Sequence, residues 1–187
     1  MTMKHILFRN MAVLLSIVLT LNMFGQDKGY FKGHRWELIG DGYQDLLVDG
    51  KIVLSRSSKF IMIQPWQVGD NLFFKVTPSP GKEALFDIKG NRVIPYDFFG
   101  VGSLEIGNTH LLSVNKGSLY LPDINLYSTK GELIVADVYS YLAERYYEFI
   151  VKDDIYGEIF RVHTKYGYGV YNTKGESIIP AKYKKIE

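Results

Sequence analysis

Apolar positions along this chain fall in short alternating runs and not in helical stripes. Residues 60–63, 72–76, 104–106, 111–114, 149–151 and 158–162 are of strand length and rich in aromatic and β-branched side chains. Turn residues part them: Gly69-Asp70, the stretch 78–81 with Pro78, Pro80 and Gly81, Gly100 and Gly102, Asn115 with Gly117, and Asp153-Asp154. The pattern predicts an all-β domain. Residues 138–147 are the best helical candidate after the N-terminal segment, and their tyrosine-rich ends fit a strand as readily.

One turn returns along the chain at intervals of about 40 residues, with its glycine at Gly50, Gly90, Gly131 and Gly175. The last three copies read LFDIKGNRVIP (85–95), LYSTKGELIV (126–135) and VYNTKGESIIP (170–180). Asp87, Ser128 and Asn172 stand three residues before the glycine, where a short polar side chain accepts backbone hydrogen bonds at the first corner of a type I turn. The glycine then supplies the positive φ that closes a three-residue hairpin with a glycine bulge. The first copy, LLVDGKIVL (46–54), is one residue shorter, and its Asp49-Gly50 suits a two-residue primed turn.

This spacing predicts an array of four antiparallel β-hairpin repeats of roughly 40 residues, either closed like a propeller or openly stacked like a solenoid. In the closed alternative, the run Arg35 to Ile39 pairs with the stretch Ala181 to Ile186 and protects both edges.

The last copy carries a family likeness. KYGYGVYNTKGESIIPAKY (165–183) resembles the WG-repeat family, whose unit runs aromatic-Gly-aromatic, apolar pair, turn glycine, Ile-Pro and a Tyr. Tyr166 stands where the family usually has Trp, and Gly167 supplies the glycine. Residues 87–96 match the downstream half through Val93, Ile94, Pro95 and Tyr96, the third copy has Ala136 in place of the proline, and the first keeps only the turn. The resemblance implies an extracytoplasmic or accessory bacterial repeat protein that binds something, and it brings no catalytic residue with it.

The N-terminus is a separate object. Lys4, His5 and Arg9 precede the apolar run MAVLLSIVLTLNMF (11–24), which falls short of the 18 or so residues a spanning helix needs. Residues 1–25 therefore read as a secretory signal peptide and 26–187 as a single domain, exported to the periplasm or the medium, with no stable membrane insertion of the mature chain. Of the 22 Lys and Arg residues, Lys4 and Arg9 belong to this segment, while none of the 20 Asp and Glu does. The remainder is balanced in charge, so it offers no long-range field for a nucleic-acid backbone. The chain has no cysteine, which fits a bacterial envelope better than a disulfide-stapled secreted module.

Catalytic signatures are missing from the sequence. His34, His110 and His163 have no zinc-like spacing, and Asp153-Asp154 with Glu158 read as a solvated turn entering a strand and not as a cation site. No G-x-S-x-G elbow occurs, and Gly100 and Gly102 lack the rest of a phosphate loop. Neither enzyme activity nor a cofactor or metal is expected.

Aromatic content is the one functional hint. Tyr139, Tyr141, Tyr146 and Tyr147 form the candidate binding cluster, Tyr139 and Tyr141 sharing one face of a strand. The expected role is a noncatalytic module that binds another envelope or secreted protein. Alternatives are a carbohydrate-binding module with an aromatic platform for polysaccharide, and a small envelope hydrolase.

Overall fold

A computed structural model describes residues 27–41, 43–58, 62–118, 123–138, 147–153 and 155–186, with the backbone alone for 147–153. Fifteen strands account for most of them. No α-helix occurs among the described residues, and one 3-10 turn covers Arg56–Ser58.

The strands form open antiparallel sheets. β1 (Lys28–Phe31), β2 (His34–Ile39), β3 (Asp45–Val48) and β4 (Lys51–Leu54) follow one another in a four-stranded sheet. β5 (Met62–Val68), β6 (Asn71–Ser79) and β7 (Lys82–Asp87) make a three-stranded one. Beyond β7 the chain adds only isolated bridges, Phe86 with Arg92 and Glu83 with Phe98. Pro95, which has no N–H for a ladder, interrupts this stretch.

The third sheet joins β8 (Gly100–Ile106), β9 (Thr109–Asn115), β10 (Ile124–Ser128) and β11 (Leu133–Val138) to β13 (Gly157–Thr164), β14 (Gly167–Asn172) and β15 (Ser177–Tyr183). Between β11 and β13 the only registered pair among the described residues is Val138 with Thr164, and β12 (Tyr147–Asp153) pairs with β13 off the main path. Pro65 and Pro180 sit in the edge strands β5 and β15, where a missing N–H costs no ladder bond.

Alternation is clearest in β13 and is lost in β10, where four successive residues are buried. β13 sinks Phe160, Val162 and Thr164 and leaves the positions between half-buried. On β6, Leu72, Phe74 and Val76 join one core while Phe73 joins another, so this strand is apolar on both faces.

Three separate clusters result, each shared between consecutive groups of strands. The first packs Trp36, Leu38, Leu46 and Leu54 of β2–β4 against Ile63, Leu72, Phe74 and Val76, with Trp36 edge-on to Phe74 at 5.6 Å between ring centroids. The second joins Val68, Phe73, Leu85, Ile94 and Phe98 to Leu112, Val114 and Tyr127. The third joins Leu104, Ile106, Leu111, Leu126, Ile134 and their neighbours to Phe160 and Val162. Fully burying one such side chain contributes about 1.5–3 kcal/mol, and Phe74, Phe98 and Phe160 are wholly buried.

The recurring glycines lie at turns. Asp49 and Gly50 both take positive φ, 51° and 76°, between the paired residues Val48 and Lys51, as a two-residue primed turn requires. The other three share another geometry. The N–H of Gly90, Gly131 and Gly175 donates at 3.0 Å to the carbonyl of Asp87, Ser128 and Asn172, respectively. The Asp87, Ser128 and Asn172 side chains accept from N–H groups two and four residues on.

Closure through Arg35 to Ile39 is not the arrangement found. β2 has β1 on one side and β3 on the other, and β15 pairs with β14. Both edges of β2 are thus in use, and no sheet closes into a barrel among the described residues.

Candidate interaction surface

The sequence placed its binding cluster at Tyr139, Tyr141, Tyr146 and Tyr147. Tyr139, Tyr141 and Tyr146 lie outside the described residues, and Tyr147 opens β12 in backbone register with Val162. Residues 1–25, which the sequence predicts to be a signal peptide, also lie outside them.

The three histidines stand on separate strands. His34 Nδ1 lies 2.7 Å from Asp49 Oδ2, His110 packs against Gly69, and His163 stacks on Tyr168 with ring centroids 4.2 Å apart. Glu158 is a clasp: its carboxylate accepts from the Asn108 N–H and the Thr109 hydroxyl, tying the β8–β9 turn to β13. Among the described residues no group of three acidic, His or Cys side chains is placed to hold a metal ion.

Polar contacts fasten other strand groups together. Tyr96 and Tyr127 share a hydroxyl hydrogen bond of 2.6 Å, and burial, with that bond, raises the Tyr96 phenol above its ordinary pKa. Lys75 reaches across to donate to the Val101 carbonyl at 3.1 Å, with its ammonium 3.9 Å above the Trp66 ring. Burial lowers its pKa, opposed by the nearby Glu83 charge. Lys165 pairs with Asp137 at 2.9 Å, which raises the lysine's pKa. The Arg56 N–H and guanidinium hold the Asp45 carboxyl below the usual carboxylate range. For Asp49 the His34 ring, then the Arg35 N–H, acts the same way.

Sequence reasoning missed a groove. It has a volume of about 510 Å³ and gathers side chains from three places: the β1–β2 turn, the β5–β6 turn with the tip after β7, and the β10–β11 tip. Phe31, Leu72, Phe73, Ile88 and Val93 give it an apolar lining, and Lys32, His34, Lys89, Arg92 and Lys130 a basic one, against the carboxylates of Asp70 and Asp87. Lys32, Lys89 and Lys130 are exposed, and Asp87 already accepts three hydrogen bonds from its own turn. Arg92 is already paired with Asp97, so three exposed lysines face two carboxylates, one of them engaged, and this balance favours an anionic or acidic guest. The only sequence signal was the lysine before each inner turn glycine, Lys89 and Lys130 among them.

A second feature sets tips against the backbone of earlier segments. A Cβ at Gly90 would lie 2.6 Å from the Val53 carbonyl oxygen, one at Gly131 would overlap the Val93 carbonyl, and one at Gly175 would lie 3.3 Å from that of Ile134. Val53, Val93 and Ile134 each stand three residues beyond the preceding turn glycine. Comparison with protein-family models, with curated proteins and with solved structures finds no match to this chain.

Proposed function

We propose that this chain is a noncatalytic interaction module of the bacterial envelope, exported by its N-terminal segment, whose groove binds an acidic segment of a partner protein. The architecture we infer beneath it is an open array of four stacked units, each bearing one of the recurrent turns. In favour of that array are the three contacts of a turn glycine with backbone of the group before it, Val53, Val93 and Ile134, and the three cores that each span consecutive groups. The resemblance of residues 165–183 to WG repeats points the same way.

The observation that carries the binding role is the groove: an apolar lining beneath Lys32, Lys89 and Lys130 in a domain balanced in charge. The hydrogen-bonded turns fix where Lys89 and Lys130 leave the backbone. The polysaccharide alternative depends on four tyrosines whose side chains are outside the description.

Fluorescence anisotropy with a labelled oligoglutamate peptide tests the role. Binding should weaken steeply with salt and fall about tenfold or more in the Lys89→Glu, Lys130→Glu double variant. Equal affinity in the wild type and the double variant, or no binding at low ionic strength, refutes it.

A further inference from the structure

The groove has a floor that ion pairing does not use. Phe31 and Ile88 lie at the margin of the first core and Val93 at that of the second, all three half-buried and lining the groove. β6 contributes Leu72 of the one core and Phe73 of the other, so the groove runs over the place where the two cores come together. Its volume of about 510 Å³ falls in the range of about 300–1,000 Å³ of sites that enclose a compact ligand, a depth that ion pairing alone does not call for.

Ile88 marks this floor in the sequence. Three of the recurrent turns share one geometry, and the residue two before the glycine is Thr129 in one, Thr173 in another and Ile88 in the third. The turn itself thus accepts threonine, and the apolar side chain answers to the surroundings of this one tip, where it packs on the first core and faces the groove.

Charge lies close beside the floor. The Lys32 ammonium stands 5.5 Å from the centre of the Phe31 ring, and Lys89 follows Ile88 directly. A guest that satisfies both must set carboxylates next to an apolar group.

We propose that the acidic partner segment carries one large apolar side chain between its carboxylates, seated on Phe31, Ile88 and Val93 while Lys32, Lys89 and Lys130 receive the acids. The proposal rests on the reading of the groove as a site for an acidic segment, and adds what selects one such segment from another. Carboxylates attract from a distance and are screened by salt, a property that any acidic segment shares. The anchor discriminates, because burial of apolar surface depends on shape and size and not on charge.

Two labelled peptides of equal charge test this: three glutamates on either side of a phenylalanine, and the same peptide with alanine at the centre. In fluorescence anisotropy the phenylalanine peptide should bind about tenfold more tightly or better. As salt rises, both affinities should fall while their ratio holds. Ile88→Thr, which gives this turn the residue of its two counterparts, should reduce the ratio at least about threefold and leave affinity for the alanine peptide unchanged. Thermal melting shows whether that variant is folded; if it is not, the wild-type ratio and its behaviour in salt decide. Equal affinity of the wild type for both peptides, a ratio that collapses in salt, or a ratio that folded Ile88→Thr leaves intact overturns the anchor and leaves the acidic-segment reading standing. Failure of both peptides to bind at low ionic strength removes that reading, and the anchor with it.

Discussion

Gly50 and Gly131 sit in hairpin tips with φ of 76° and 84°, yet their surroundings differ. Gly50 meets nothing described, while Gly131 presses on the Val93 carbonyl. Glycine at the first is a conformational requirement; at the second it is also a spatial one. The same contrast separates the inner strands from the ends: β6 carries buried side chains on both faces, whereas Tyr30 is 78% and Ile155 84% exposed. A residue type at a recurrent position therefore says little about how much depends on it until its neighbours are known.

The strongest challenge to this contrast is Phe74→Ala. Removing a wholly buried ring that meets Trp36 should cost about 3–5 kcal/mol in urea unfolding, and a loss below 1 kcal/mol would mean that the β6 faces are not packed as described. Next come the paired glycine changes. Gly131→Ala adds overpacking to backbone strain and should cost about 2–5 kcal/mol, against about 1–2 kcal/mol for Gly50→Ala, which suffers strain alone. Equal losses would show that the close approach to Val93 has no energetic weight.

Acid melts probe the first strand group by itself. The folded pKa of Asp45 lies below its unfolded value of about 3.9, so its contribution is complete above that value and disappears as pH falls through the folded pKa. Asp45→Asn should flatten the acid limb of a thermal-stability profile taken from pH 6 to pH 2; an unchanged limb removes Arg56 as the cause. The smallest effects belong at the ends. Tyr30→Ser and Ile155→Ser should each leave monomer stability within about 0.5 kcal/mol, measured by calorimetry in dilute solution, and a larger loss would make those side chains part of a core.

Local chemistry was legible in the sequence and distant chemistry was not. Asp87, Ser128 and Asn172 announce their turns because the side chain, the N–H groups it binds and the glycine lie within five residues of one another. The Asp49-Gly50 dipeptide likewise announces its turn, although the Asp49 carboxylate binds the distant His34 ring and Arg35 N–H. By contrast, the approach of Gly90 to Val53 joins residues almost one period apart, and no residue type encodes it, since glycine is required there by the turn already. The groove was hidden for the same reason: Lys32, Lys89 and Lys130 come from three hairpins, and each looks like an ordinary solvated lysine in its own segment. The predicted pairing of Arg35 to Ile39 with the C-terminal strand counted residues at the two ends, but β1 and β3 occupy both edges of that run.

In the stacked array we propose, three separate cores make for unfolding in steps. Losing Phe160 and Val162 from their junction leaves the cluster around Trp36 untouched, because no residue belongs to both. Melting can therefore begin at either extremity and advance like an opening zipper, with the interior strands last to exchange their amide hydrogens.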